Sequence, residues 1–355
     1  MPNRANVQVS IVVPCRNEIR FIRAFLDSVL QQDTTGLNLE ILIADGMSDD
    51  GTREVLNEYE LRCPCFRVID NPGRIVSTGL NAAIREARGE FIVRMDAHTE
   101  YAPDYIRSCM QVMDETGAQN VGGPALTRAE GYLARAIAFA FHSKFVSGGA
   151  KFHDPGYEGY VDTVTYGCWR KSTLLHIGLF DERLYRSQDD ELNLRIAASG
   201  GKVWQSPRIT SWYRPRGTLA ALSRQYFQYG FWKVAVIRKH RKPASWRNLV
   251  PGASLLTGIA LLLGAFAAHL GGSGRWESQF LAYWQAMVGL YGVVSLGAAF
   301  LVAKSSSWRF FPVLPVVFAT YHISYGLGFL LALAYQPIKW DQTSYMRRIL
   351  TTLSR

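Results

Sequence analysis

Phe91-Ile92-Val93-Arg94-Met95-Asp96-Ala97-His98 decides how the first half of this chain is read. It is an apolar run bounded by Gly89 and polar residues, the pattern of a strand buried in a parallel sheet. It ends in a carboxylate and, two residues later, an imidazole. In open α/β sheets the ligand crevice lies beyond the carboxyl ends of the strands. At an extended strand end, residues i and i+2 point to the same side, so Asp96 and His98 can reach one divalent cation. Such a cation would bridge to a diphosphate and neutralise it. Asp-x-His alone fits equally an aspartate capping the next helix beside a solvated histidine, so the rest of the chain has to decide.

Working outward, strands and helices alternate. Residues 7–13 are a β-branched run that reads as a first strand, stopped by Pro14. Residues 39–44 read as a second strand ending at Asp45-Gly46, and residues 66–69 as a short third one. Helices are predicted between them. The first carries Ile22, Phe25, Leu26, Val29 and Leu30 at helical spacing; the last spans 77–88, with Gly89 as its stop. This alternation argues for an α/β domain with a mostly parallel, Rossmann-like sheet. No Gly-x-Gly-x-x-Gly follows the first strand, and there is no Gly-x-x-x-x-Gly-Lys-Ser/Thr. A dinucleotide-dependent dehydrogenase and a P-loop NTPase are therefore disfavoured. What recurs is an acid at a strand end, Asp45 and then Asp96. Asp45 can accept hydrogen bonds from a base or ribose, or it can belong to an ordinary Asp-Gly turn.

The net charge of +10 over 355 residues suits nucleic acid, anionic lipid or phosphorylated substrates, and its placement chooses among them. Residues 249–274, 278–303 and 310–338 contain no Asp, Glu, Lys or Arg. Each exceeds the roughly 20 residues needed to cross a hydrocarbon core; the third is interrupted by Pro312 and Pro315. Arg238-Lys239-His240-Arg241-Lys242 and Arg247 abut the first of these stretches. That position points to anionic lipid at the cytosolic leaflet, not to nucleic acid. Residues 219–232 interleave aromatics with Arg224, Gln225 and Gln228, as in an interfacial amphipathic helix. A full third span would put Lys339, Arg347, Arg348 and Arg355 outside, against the positive-inside rule, so the side of the tail stays open. The first apolar run is too short for a signal-peptide core, so the N-terminal part is expected in the cytosol. The five cysteines are odd in number and scattered, and Cys63-Pro64-Cys65 lacks metal or redox spacing.

Several stretches together resemble family 2 glycosyltransferases. Residues 9–18, Val-Ser-Ile-Val-Val-Pro-Cys-Arg-Asn-Glu, look like the family's opening, and residues 43–52, Ile-Ala-Asp-Gly-Met-Ser-Asp-Asp-Gly-Thr, look like its second-strand signature. Asn71-Pro72-Gly73, Gly79-Leu80-Asn81 and Ala87-Arg88-Gly89-Glu90 lead in the usual order to the metal-binding strand. The resemblance covers roughly residues 7–215. The Asp-Ala-His form and the apolar C-terminal region are most like the succinoglycan-type glucosyltransferases of exopolysaccharide synthesis.

The resemblance implies a GT-A fold, a nucleotide-sugar donor and inversion at the anomeric carbon. By position, Pro14, Asn17 and Glu18 would flank the nucleotide, Asp45 would contact the base, and Asp96 would open the metal-binding Asp-x-Asp motif. His98 departs from that motif. An imidazole favours Mn²⁺ over Mg²⁺. Inversion in one displacement needs a carboxylate to take the acceptor proton. Gln188-Asp189-Asp190-Glu191-Leu192 fits the place of the family's base segment, which makes Asp189 the base and Asp190 the alternative; the same acids would also suit the first turn of any helix. Gly167 and Trp169 would lie on the acceptor side. Gln225 echoes the Gln-x-x-Arg-Trp motif of processive relatives.

The expected organisation is a catalytic domain over 1–215, a membrane-interface segment over 216–248, about three transmembrane helices over 249–338 and a basic tail over 339–355. The expected activity is transfer of a sugar, glucose first, from a UDP-sugar to a lipid-linked glycan at the inner membrane. Direct transfer to a polyprenyl phosphate is the alternative among enzymes, and a non-catalytic membrane scaffold or transport subunit is the alternative outside them.

Overall fold

The computed structural model describes residues 7–335. Lys339, Arg347, Arg348 and Arg355 lie outside the described residues. The chain packs as two units. One holds the chain up to Arg128 together with Lys151–Arg214; the other holds Ala129–Ala150 and the chain from Pro215 onward.

The first unit opens with β1 (Val9–Cys15), α1 (Ile22–Leu30), β2 (Leu39–Asp45), α2 (Thr52–Arg62), β3 (Phe66–Asp70), α3 (Val76–Glu86) and β4 (Phe91–Arg94). Its strands pair in parallel in the order β3-β2-β1-β4. Then come β5 (Thr99–Tyr101), α4 (Tyr105–Thr116), β6 (Asn120–Gly123) and β7 (Leu126–Thr127). The chain leaves for α5 (Tyr132–His142) and α6 (Lys144–Ser147) in the second unit. It returns with β8 (Gly159–Tyr160), β9 (Thr165–Arg170), α7 (Lys171–Ile177), α8 (Gln188–Ala198), β10 (Val203–Gln205) and β11 (Ser211–Tyr213). The large sheet has the order β3-β2-β1-β4-β9-β6-β10-β8, with β9 antiparallel to both neighbours; β5-β11-β7 form a small second sheet.

Both faces of the large sheet are covered. Ile11, Val13, Ile41 and Ile43 pack toward Phe25, Leu26, Val55 and Leu56. Val12, Leu42 and Ala44 pack toward Leu80, Ala83 and Ile84 on the other side. This two-sided burial is why the strands read as unbroken apolar runs.

Two local expectations change. Pro14 does not stop the first strand, because β1 continues in register with β2 to Cys15–Asp45. The carbonyl of Val12 bonds Met95 on the β4 side, so Pro14, two residues on, turns its missing N–H the same way, past the last β1–β4 pair Val12–Arg94. Gly89 is not the stop of α3, which ends at Glu86. A Cβ at Gly89 would lie 2.5 Å from the backbone nitrogen of Ser10, so glycine is needed there for close approach to β1.

The second unit adds α9 (Leu219–His240), α10 (Val250–Leu270), α11 (Gly274–Ser305) and α12 (Leu314–Tyr335). Among the described residues α10, α11 and α12 are long and apolar enough to cross a membrane. Pro312 precedes α12 and Pro315 is its second residue, where a missing N–H costs nothing, so neither proline breaks the helix. Residues 129–150, expected inside the 1–215 domain, pack here instead. Ala136, Ile137 and Ala140 of α5 share a core with Leu314, Val317, Phe318 and Tyr321. His322 bridges the Phe145 carbonyl and the Tyr291 hydroxyl, each at 3.0 Å.

Candidate active site

Three loops meet at the carboxyl ends of β1, β2 and β4. Asn17, in a left-handed conformation (φ 55°), donates from Nδ2 to Asp49 at 2.9 Å and accepts from the Asp49 backbone at 3.1 Å. The Glu18 N–H donates to the Thr52 hydroxyl at 2.9 Å. These bonds tie the loop after β1 to the loop after β2, with Pro14 at their root. Asp45 is 1% exposed. Its carboxylate accepts from the Ser48 backbone and hydroxyl and from Arg53 at 3.0 Å, and Arg53 also reaches Asp70 at 2.7 Å. In this conformation Asp45 braces the loop and is covered by it.

The β4 end carries the charged centre. The Asp96 N–H donates to the Tyr101 hydroxyl at 2.7 Å, and Tyr101 is held against Tyr105 and Tyr166. The Tyr166 hydroxyl pairs with Thr99, and burial pushes its pKa up, so it stays protonated. Arg94, on the same side of the strand as Asp96, is only 5% exposed. Its guanidinium lies 3.4 Å from the Asp96 carboxylate and is ion-paired with Asp189. It also lies 5.9 Å from the centre of the Tyr166 ring.

Asp189 comes from the first turn of α8, which holds all three neighbouring acids. They do different work. Glu191 is fully buried and paired with Arg195 at 2.8 Å; Arg195 also donates to the carbonyls of Ile177 and Leu179. Asp189 faces Arg94 and keeps 33% of its side chain open. Burial pushes its pKa up to about 6; Arg94 pulls it down, while Asp96 and Asp190 push it up. A carboxylate poised there is ionised at neutral pH, yet basic enough to accept a proton. Asp190 is half-buried beside it.

His98 is 45% exposed, with Nδ1 3.5 Å from the Glu18 carboxylate. Among the described residues no group of three or more His, Cys, Asp or Glu gathers for a metal ion. The Asp96 carboxylate and the His98 imidazole, the pair expected from the sequence, stand at the end of β4, Asp96 against Arg94 and His98 against Glu18. A divalent ion held by one or two side chains and by substrate phosphates fits such a sparse set.

The geometry brings Asn17, Glu18, Asp45, Asp96, His98 and Asp189 to one edge of the sheet. Two of the expected acceptor-side residues, Gly167 and Trp169, are buried in the core of the first unit. Trp169 is 1% exposed and packs edge-on against Phe180 in the core. Gly167 (φ 110°) leaves room for that indole, since a Cβ would lie 2.6 Å from it. Gln225 belongs to α9 in the second unit, where it donates to the Tyr229 hydroxyl one turn on, at 2.9 Å. Arg94, which joins Asp96 to Asp189, is the site residue that motif reading passes over. The signal was available: a lone cation inside a strand buried on both faces needs carboxylates to hold it.

A parallel β-α unit with acids at the carboxyl ends of its strands is the arrangement of a GT-A glycosyltransferase. The model of glycosyl transferase family 2 matches residues 10–153. The succinoglycan biosynthesis protein ExoA of Rhizobium meliloti (strain 1021) is 30% identical over 323 residues, 90% of this chain and 93% of that protein. The chain belongs to glycosyl transferase family 2. A dolichyl N-acetyl-alpha-D-glucosaminyl phosphate 3-beta-D-2,3-diacetamido-2,3-dideoxy-beta-D-glucuronosyltransferase of Methanococcus voltae is 28% identical over 65% of the chain and 74% of that protein. The mannosyltransferase PcManGT from Pyrobaculum calidifontis, solved with GDP-Man and Mn²⁺, shares the fold with a TM-score of 0.58 at 18% identity. That match covers 94% of this chain and 89% of that one.

Proposed function

We propose that this chain is a membrane-bound inverting glycosyltransferase that moves a sugar, glucose first, from a UDP-sugar to a lipid-linked glycan in exopolysaccharide or cell-surface polysaccharide synthesis. It would sit in the inner membrane, with the first unit, which carries the candidate active site, on the cytosolic side. The observation that carries the reading is the juxtaposition of Asp96 and Asp189 about the buried Arg94.

In this mechanism Asp189 accepts the proton of the acceptor hydroxyl as that oxygen attacks the anomeric carbon. Attack comes from the face opposite the departing nucleoside diphosphate, which inverts the configuration. Arg94 keeps the Asp189 carboxylate aimed and ionised. Asn17, Glu18 and Asp45 shape the nucleotide side. A divalent cation bound at Asp96 and His98, Mn²⁺ in preference to Mg²⁺, would supply charge neutralisation for the diphosphate. A lipid-linked acceptor is supported by the Methanococcus voltae relative, whose name states one, and by the apolar helices.

The test is nucleotide release from a panel of UDP- and GDP-sugars by purified protein in nanodiscs, with a lipid extract and with Mn²⁺, Mg²⁺ or EDTA. Donor-selective, metal-dependent release that Asp96→Ala abolishes is expected. Release from no donor, with native lipid extract present, would move the reading to a non-catalytic scaffold.

A further inference from the structure

The pairing of α9 with α12 limits how the second unit can sit in a bilayer. The two helices run parallel in close contact. Ser223 bonds Ser324 at 2.8 Å, the Tyr226 ring packs on Tyr321 at 4.3 Å, and Arg238 donates to the Leu333 carbonyl at 3.0 Å. Between these contacts the backbones touch. A Cβ at Gly230 would lie 2.0 Å from the Tyr325 carbonyl oxygen, and one at Gly328 the same distance from that of Phe227. The partners advance together along both helices, so the two share one direction and one depth.

Connectivity then excludes a full crossing by α12. The helices α10 and α11 form an antiparallel hairpin, shown by Gly258 beside Met287, Gly264 beside Phe280 and His269 bonded to Glu277. Two crossings return the chain to the side it left, so α12 starts on the side where α9 ends. If α12 crossed, its parallel partner α9 would cross beside it and end on the opposite side. The segment between α9 and α10 would then have to retrace the bilayer. That segment carries Arg241, Lys242 and Arg247, and a polar non-helical backbone does not cross hydrocarbon. Crossing by α9 would also take Arg224 and Lys233 through the membrane.

We propose that only the α10–α11 hairpin spans the bilayer, and that α9 and α12 lie together at its cytosolic surface. The proposal rests on the reading of this chain as a membrane protein with a cytosolic catalytic unit. The cations of α9 then meet anionic headgroups, and the apolar face of α12 left uncovered rests in the acyl boundary. Burial fits this division: 44% of the α12 stretch is covered within the protein, against 11% for α10 and 17% for α11. The chain leaves α12 on the cytosolic side, which keeps the basic tail in accord with the positive-inside rule.

The test uses the full chain and a membrane-impermeant maleimide on intact and permeabilised cells. The native cysteines all lie in the first unit, so the unmodified chain sets the background. Gly274→Cys, at the hairpin tip with nothing within 4 Å, should label in intact cells. A cysteine appended after Arg355 should label above background only once cells are permeabilised, at least tenfold more than before. A fluorescent protein fused there, of a kind that matures only in the cytosol, should glow. An appended cysteine that labels in intact cells as fully as Gly274→Cys would overturn the proposal and leave the membrane reading standing. So would Gly274→Cys that labels only after permeabilisation. Release of the unmodified chain from membranes by alkaline carbonate would overturn the membrane reading, and this proposal with it.

Discussion

Replacing Arg94 with methionine should move the acid limb of the pH–rate profile. Arg94 is almost fully buried and sits against Asp189, the expected base, whose pKa is about 6 with that guanidinium in place. An adjacent arginine typically lowers an aspartate by about 1–3 units. A third of the Asp189 side chain remains open to solvent screening, so the lower part of that range applies, ~1–2 units. The profile of kcat/KM reports groups in the free enzyme. Its acid midpoint should rise from about 6 to ~7–8. The sign is that of a base: activity is lost as pH falls through the midpoint. At pH 7 the ionised share of Asp189 would drop from about nine-tenths to between roughly one-tenth and one-half. Arg94→Lys keeps the charge and should shift the midpoint far less. An unchanged midpoint in a folded Arg94→Met protein would refute either Asp189 as the titrating base or Arg94 as its partner.

Other outcomes follow from the same geometry. Asp189→Asn should lower kcat by about 10²-fold or more, while Asp190→Asn should cost much less, measured as sugar transfer to lipid extract. Asp96→Ala should remove metal-dependent donor binding by calorimetry, and His98→Asp, which restores an all-oxygen pair, should shift preference from Mn²⁺ toward Mg²⁺. Gly328→Leu should destabilise the second unit by on the order of 3 kcal/mol, because the new side chain meets the Phe227 backbone and not a movable group; thermal unfolding in detergent reads this.

Much of the first unit is legible in the chain because its signals are local. Residues 91–98 show a buried strand and its terminal acid without reference to anything distant, and the Asp45 loop carries its own turn chemistry. Legibility fails where a role depends on a partner far along the chain. Arg94 gains its meaning from Asp189, 95 residues away. Trp169 looks like an acceptor platform in a motif, but β9 inserts between β4 and β6 and turns the indole into the core. Gly89 has the right place for a helix stop, yet its neighbour is the β1 backbone. Residues 129–150 lie between two stretches of the catalytic unit in sequence, and only the apolar side of α5 against α12 shows where they pack. The apolar composition of α12 gives its length but not its partner; the glycines that admit α9 look no different from other glycines in the sequence.

The most direct measurement of the central claim is sugar transfer itself. Purified protein in nanodiscs would be given labelled UDP-glucose, Mn²⁺ and native lipid extract, and label would be followed into the organic-soluble fraction. The unmodified protein should transfer label with inversion at the anomeric carbon of the product, and Asp189→Asn should lose about 10²-fold or more of that transfer. Full transfer by a folded Asp189→Asn protein, or a product with retained configuration, would contradict an inverting mechanism with Asp189 as its base.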